Sequence, residues 1–328
     1  MDNLAPISIS TYNRYEHLQK TVEALQQNFL ASDSVLYIFS DAPKSGDEKD
    51  VAKVRKYMDS ISGFQEVVII KQETNNYAKN MKESSSIPLA RFGKVIRMED
   101  DIVTSPHFLT YMNNALELYK DEKSIFAVLG YTPDIDEMNK LESDIYLSKI
   151  FSAWGFGLWD DRGFLDAREK LDYYSEMKKK KELVKEINQN NPNMMNMLQL
   201  IESKKANPGD YKISAYILLN NLFTIAPKRS LIKNIGNDGS GIGGSKTDKF
   251  ELVLDKNFLP IVERNLSYNN RWDRLIYNDY FNKDFLRNIR YKLLLKSRVM
   301  KLNLKDKKIA RWLKRLIGKF CKGFRIYD

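Results

Sequence analysis

Three adjacent carboxylates, Glu99-Asp100-Asp101, follow directly on the run Lys94-Val95-Ile96-Arg97-Met98. Like charges crowded at a strand end repel one another, and folding avoids the arrangement unless a cation compensates. A hard divalent ion can do so, because it accepts one or two carboxylates and fills its shell with water and substrate phosphates. The same ion can neutralise the charge that builds on a departing diphosphate. The plain alternative is a solvated acidic turn, and a bare acidic triplet does not separate the two readings. Composition narrows the metal. A single cysteine, Cys321, leaves no disulfide framework and no cysteine-built zinc site. The two histidines, His17 and His107, are too few for a His-rich site. Any metal must be held mainly by oxygen, which favours Mg²⁺, Ca²⁺ or Mn²⁺. Both histidines fall in or beside expected helices and read first as local structure, although His107, after Pro106, is close enough in sequence to approach the acidic cluster.

The acidic triplet has to be held by a regular framework, and the first hundred residues supply one. Short apolar runs at Pro6–Ser10, Val35–Phe39, Val67–Ile70 and Lys94–Met98 read as strands. Between them, Glu16–Phe29, Glu48–Met58 and Tyr77–Arg91 carry apolar residues at helical spacing, with Pro88 expected to end the last one early. Strands alternating with helices imply right-handed crossovers and an α/β fold with a mainly parallel sheet. A helix over Pro106–Tyr119 and a strand over Ile125–Leu129 continue the pattern. After Gly130 it loosens. Arg168–Lys185 reads as one exposed helix of a helical insertion covering about 165–208, with Asn193–Lys205 as a second. Tyr211–Leu219 reads as a buried helix and Leu222–Ile225 as a strand.

In open α/β sheets, ligands gather at the carboxyl ends of the strands. That rule selects Thr11-Tyr12-Asn13-Arg14, Ser40-Asp41, the segment from Thr74 to Asn80, and Glu99-Asp100-Asp101. With these pieces in order, the chain resembles GT-A-fold glycosyltransferases of the family 2 and N-acetylglucosaminyltransferase I types. The resemblance runs from about Ala5 to Gly244. It is carried by Pro6 to Arg14, Ser40-Asp41, Val95 to Asp101, and Phe151-Ser152-Ala153-Trp154-Gly155-Phe156-Gly157-Leu158-Trp159. Asn220 to Lys228 and Asn234 to Gly241 complete it.

The resemblance implies a GT-A domain over residues 1–285 that uses a nucleoside diphosphate sugar, most simply UDP-linked, and Mn²⁺ (or Mg²⁺). It implies contacts to base and ribose from Thr11, Tyr12, Asn13, Arg14 and Asp41. Glu99-Asp100-Asp101 stands in place of the family's DXD motif, with Asp101 on the metal, Asp100 toward the ribose and Glu99 toward the donor sugar. Lys79 and Asn80 fall where the family has donor contacts. The activity implied is hexosyl or N-acetylhexosaminyl transfer to a hydroxyl of a glycan or lipid-linked glycan, in bacterial lipopolysaccharide or capsule synthesis.

An inverting transfer needs a base to take the acceptor's proton. The position that matches the family's base is Asp210. Relatives usually have a Trp immediately before that Asp and another three residues after it, whereas this chain has Gly209 and Ile213. Read on its own, Asp210 is also a helix N-cap after Pro208-Gly209. Asp160 and Asp161 are the fallback bases. Trp154 and Trp159 are either an acceptor wall, since aromatic faces stack on sugar rings, or core.

Gly239 to Gly244 formally matches a dinucleotide fingerprint, but it neither follows a strand directly nor opens a clear helix. It reads as a mobile loop that in the resembling family can close over the donor diphosphate, bringing Lys246 to a phosphate.

The net charge is +10 over 328 residues, yet Leu286–Asp328 alone holds fifteen Lys or Arg and two Asp. The other residues hold 38 basic and 41 acidic side chains, so basicity belongs to the C-terminal extension, 286–328. There Ile309, Trp312, Leu313, Leu316 and Phe320 recur at helical spacing among lysines and arginines. Such a helix suits an anionic membrane surface, or packs on the domain with a solvated basic face. No apolar stretch approaches the roughly 20 residues of a membrane span, and the N-terminus carries no signal pattern. The expectation is a cytoplasmic protein, peripheral on the inner face of the cell membrane. Two rivals are a sugar-1-phosphate nucleotidyltransferase, disfavoured because Thr11–Arg14 lacks glycine, and a nucleic-acid binder using the tail, which leaves the acidic cluster unexplained. No nucleic-acid partner is expected.

Overall fold

The computed structural model describes residues 4–191, 193–241 and 246–282. The basic extension, and the amphipathic helix expected within it, lie outside the described residues. The chain opens with β1 (Ile7–Thr11), α1 (Tyr15–Gln26), β2 (Val35–Ser40), α2 (Glu48–Met58), β3 (Glu66–Lys71), α3 (Tyr77–Phe92) and β4 (Lys94–Glu99). Next come β5 (Ile102–Thr104), α4 (Phe108–Leu118), β6 (Ile125–Leu129), β7 (Ile145–Ser148) and β8 (Phe156–Trp159). Four helices follow: α5 (Phe164–Glu169), α6 (Tyr173–Lys178), α7 (Lys181–Asn190) and α8 (Met194–Glu202). The described chain closes with α9 (Gly209–Leu219), β9 (Phe223–Pro227), β10 (Ile232–Asn234) and α10 (Asn270–Asn282).

Eight strands form one sheet in the order β3-β2-β1-β4-β8-β6-β9-β7. β1, β2, β3 and β4 run parallel, and β6 pairs in parallel with β9. β8 is antiparallel to both β4 and β6, and β7 is antiparallel to β9. The fold is thus α/β around a mainly parallel sheet. Apolar side chains leave both of its faces. One core joins Ile7, Ile9, Leu36, Ile38 and Ile96 to Leu18, Val22 and Leu25 of α1 and to the buried face of α4. The other joins Val95, Phe126, Phe156 and Leu158 to Leu89 of α3, Phe164 of α5 and Ile213 and Ile217 of α9. Strands buried on both faces read as near-continuous apolar runs, as β2 and β6 do.

Two expectations are corrected. Pro88 does not end α3, which continues to Phe92 and closes on Gly93 at φ +70°. A proline removes the N–H that would bond the carbonyl four residues back. Here that carbonyl, of Ser84, accepts instead from Ser8 Oγ of β1 at 2.6 Å, so the group is not left orphaned. The second correction concerns Arg168–Lys185, which is no single exposed helix. It breaks into the end of α5, α6 and the start of α7. Tyr173, Met177 and Ile187 turn inward onto Met194, Leu198 and Ile201 of α8, building a separate small core against Ala215 of α9.

Candidate active site

Because β1, β2 and β4 are parallel and in register, their carboxyl ends share one edge: Thr11 pairs with Ser40, and Ser10 with Glu99. The turn after β1 brings Arg14 against the acidic cluster. Its guanidinium pairs with Asp100 and lies 2.9 Å from Asp101 Oδ2. Thr11 Oγ1 donates to Asp100 Oδ2 at 2.8 Å, and Thr21 of α1 donates to the Asp100 carbonyl at 2.9 Å. Asp100 and Asp101 are both buried. Burial raises the Asp101 carboxyl above its ordinary value; Arg14 opposes the shift and Asp100 adds to it. Burial also works against the Arg14 charge, but the two aspartates outweigh it and raise its pKa.

β10 pairs antiparallel with β5 and so delivers Asn234 to Gly236 beside Asp101. Ile235 N–H donates to the Asp101 carbonyl at 2.8 Å, and Asn234 Nδ2 stands 3.5 Å from Asp101 Oδ1. A Cβ on Gly236 would lie 2.0 Å from Asp101 Oδ2, so only glycine fits there. On either side of residues 242–245, which lie outside the described residues, His17 Nε2 lies 3.2 Å from Asp238 Oδ2, and Thr247 N–H donates to Asn237 O at 2.9 Å. Lys246 is exposed beside Gly239.

Next to the cluster opens a cleft of about 1080 Å³, walled by the first turn of α3, by α5, by the end of α8 and by the start of α9. Glu99, Tyr77, Lys79 and Asp210 all line it. The Glu99 carboxyl is pushed up to about 8, first by burial and then by Asp101, Asp210 and Asp100, with Arg97 opposing. Asp210 is the second residue of α9, whose N-cap is Pro208, and makes no capping hydrogen bond. It keeps an open side toward the cleft, yet the surrounding walls strip enough water from it to raise its pKa against the pull of Arg168. A second hollow of about 250 Å³ lies beyond Asp210, lined by Trp154, Tyr131, Tyr146, Ser214 and Tyr277 among others. Asp210 and Phe151 belong to both linings, so the carboxylate stands on the divide.

Other expected site residues lie elsewhere or are already engaged. Asn80 is buried on the inner side of α3, where its amide reaches the Phe39 carbonyl at 3.4 Å, and it does not line the cleft. Trp159 is core. It is 5% exposed, its indole N–H donates to Leu116 O at 3.1 Å, and Arg162 covers its ring. Of the two tryptophans expected at an acceptor wall, Trp154 alone lines a hollow, and it packs edge-on against Tyr131 and Phe250. Trp159→Ala is expected to cost stability, about 3–5 kcal/mol by chemical denaturation, whereas Trp154→Ala should mainly weaken acceptor use. An equal loss of stability in both variants would make Trp154 a core residue too.

Asp41 is buried and holds the turn that opens α3, accepting from Ala42 N and Asn76 N at 2.9 Å and from Asn75 Nδ2 at 3.3 Å. Tyr12 closes the following loop, donating to Asp47 at 2.7 Å and accepting from Lys44 N at 2.8 Å. Asn13 is half-buried just before α1. His107 packs its ring on Phe29 at 4.8 Å rather than approaching the carboxylates. Asp161 is paired with Lys123 and Arg162, and neither it nor Asp160 lines the cleft, so of the three candidate bases Asp210 alone faces it. The sequence reading missed Thr21, the glycine requirement at Gly236, Arg168 and Lys212.

No group of three or more His, Cys, Asp or Glu among the described residues is arranged to hold a metal ion. What the cluster offers is one carboxylate, Asp101, in a cradle that a Cβ on Gly236 would fill. That donor set fits a hard divalent ion taking most of its shell from water and phosphate oxygens. It does not fit an all-protein cage. Arg14 would have to give up its contact with Asp101 to admit the ion.

No protein-family model matches this chain. Nor does any curated protein match it in sequence. Among solved structures, it is similar to the mannosyltransferase PcManGT from Pyrobaculum calidifontis in complex with GDP-Man and Mn²⁺. That match has 14% identity and a TM-score of 0.36, over 50% of this chain and 46% of that one. It is also similar to GalNAc-T7 with UDP, GalNAc and Mn²⁺, at 14% identity and TM-score 0.41, over 75% of this chain and 47% of that one. For S. aureus TarS 1–349 the values are 13% and 0.34, over 51% and 49%. The chain thus spans about half the length of each. At TM-scores below 0.5 these likenesses establish neither family nor function.

Proposed function

We propose that this chain is a GT-A-type glycosyltransferase that moves a sugar from a nucleoside diphosphate sugar to an acceptor hydroxyl with inversion. The observation that carries the reading is the convergence of Thr11, Arg14, Asp41 and the Glu99-Asp100-Asp101 cluster at the carboxyl ends of three parallel strands, with Asp210 facing the adjoining cleft. Strand ends of this kind are where α/β sheets take nucleotides.

In this reading the nucleotide lies along the ends of β1 and β2, and the diphosphate lies by Arg14, Gly236 and Lys246. Asp101 is the residue that would hold Mn²⁺ or Mg²⁺. The chemistry such an ion supplies is neutralisation of a diphosphate leaving group. The donor sugar enters the cleft at Glu99. Asp210 takes the proton of the acceptor hydroxyl as its oxygen bonds to the anomeric carbon, and the bond from that carbon to the diphosphate oxygen breaks with its electron pair. Trp154 offers an aromatic face to the acceptor. Synthesis of a bacterial surface glycan on the inner membrane face, with residues 286–328 on anionic lipid, remains part of the proposal. Among the described residues no helix is long and apolar enough to cross a membrane.

The test is thermal stabilisation by UDP, GDP and their sugars, with and without Mn²⁺, repeated on Asp101→Ala. A ligand at about 100 times its Kd stabilises by roughly 2.7 kcal/mol. The expected result is Mn²⁺-dependent stabilisation by one nucleotide series, lost in Asp101→Ala. No response from the folded protein to any of them would refute the reading.

A further inference from the structure

We propose that the wall of the cleft formed by α5, the end of α8 and α9 is an anion subsite, and that the group it takes is a phosphate ester carried by the acceptor. The identity of that carrier rests on the glycosyl-transfer reading; the anion subsite does not. Seven Lys or Arg side chains line the cleft against three carboxylates. Three of the seven are accounted for. Lys79 faces Glu83 at 3.7 Å, Lys82 pairs with Glu169 at 2.6 Å, and Arg97 gives its guanidinium to Ser8 and Ser10. Arg168, Lys204, Lys205 and Lys212 have no carboxylate partner within ion-pair distance among the described residues.

Lys212 is the most telling of them. It is only 5% exposed, it lines the cleft, and it makes no hydrogen bond or ion pair. Its stem is packed away while its ammonium keeps access to the cleft, as long basic side chains do. Burial lowers its pKa and Arg168 pushes in the same direction, with Glu169 opposing. Arg168 stands close by, with its guanidinium against Gly209, 3.5 Å from where a Cβ would sit. Asp210 and Glu169 offset these two cations only in part, since Glu169 is already paired with Lys82, and the hollow keeps an excess of positive charge that an anion would neutralise. A phosphate suits the pair, because its oxygens accept both the planar fork of Arg and the point charge of Lys.

The residues around the strand ends identify the carrier. Arg14, Asp101 and Gly236, beside which a donor diphosphate would lie, are not part of this cleft's lining. The donor-sugar side of the cleft holds Glu99 next to two more carboxylates, which disfavours an anionic sugar there. Arg168 and Lys212 flank Asp210 in α5 and α9. An anion held there belongs to the molecule whose hydroxyl Asp210 would deprotonate.

The experiment is calorimetric titration of the full chain with glucose 6-phosphate, with glucose as the neutral control, in the absence and presence of saturating UDP. Glucose 6-phosphate should bind and glucose should not. Lys212→Met and Arg168→Gln should each weaken binding at least about tenfold, and UDP should leave it unchanged. Lys212→Met should also fold with a little-changed Tm, since methionine keeps the packed stem and the ammonium has no bond to lose. Competition by UDP would assign these cations to the donor diphosphate and overturn the proposal. So would the absence of binding, or binding that neither substitution alters. Binding that depends on Lys212 in a protein that ignores every nucleotide would sink the glycosyl-transfer reading and leave the anion subsite standing.

Discussion

Asp210→Asn is expected to lower kcat by about 10²–10⁴-fold, the usual contribution of a positioned general base, with little change in KM for the sugar nucleotide. The two residues are nearly the same size, and Asp210 makes no hydrogen bond or capping contact that the amide would lose, so Tm should hold. The pH profile gives the sharper signature. Burial raises the Asp210 carboxyl above the ordinary carboxylate range. A base works deprotonated, so activity should fall as pH drops through that raised value, at higher pH than for an exposed aspartate. The acid limb should disappear from the residual activity of Asp210→Asn. A variant that keeps both its rate and its acid limb would remove Asp210 from the chemistry.

Gly236→Ala is expected to reduce kcat/KM at least about 100-fold while the protein stays folded. The added Cβ would stand 2.0 Å from Asp101 Oδ2, 2.8 Å from its Cγ and 3.0 Å from Arg14. No rotation of the methyl relieves this. Either the Asp101 carboxylate swings out or the turn after β10 retreats, and a displacement of about 1 Å at a reacting centre can cost 10²-fold. The clash falls on the end of the Asp101 side chain and on Arg14 rather than on backbone or on core side chains, so circular dichroism and Tm should report a near-normal fold. Sugar-nucleotide binding should weaken together with catalysis. If kcat/KM were unchanged, neither Gly236 nor Asp101 would lie where the donor binds.

The first half of the fold was legible because local pattern and final burial agree there. In β1, β2 and β4, apolar runs bounded by polar turns become buried strands, with β3 half-buried at the sheet edge, and the strand-end rule picked out Thr11, Arg14, Asp41 and the acidic cluster without coordinates. The second half was not legible, because its short strands carry little pattern. β8 is Phe-Gly-Leu-Trp and β10 is Ile-Lys-Asn. Their pairing is decided by partners far away in sequence, β4 and β6 for β8 and β5 for β10. Trp159 could not be told from a binding-site tryptophan until β8 placed it under α4. Pro88 misled because its relief comes from Ser8, some eighty residues earlier. Arg168 sat in a polar stretch that reads as solvated surface and Lys212 in a helix that reads as buried, and that both line one cleft depends on how α5 and α9 pack together.

The small core of α6, α7 and α8 is closed around its own methionines and leucines and meets the rest of the protein at α9 and, through α7, at α10. Substitutions or length changes within that unit alter one wall of the cleft and leave the ends of β1, β2 and β4 as they are. The chain is therefore divided into a part that can vary and a part that cannot: a lineage, or an engineer, could exchange the helical unit to change what is recognised across from Glu99 without rebuilding the strand-end machinery.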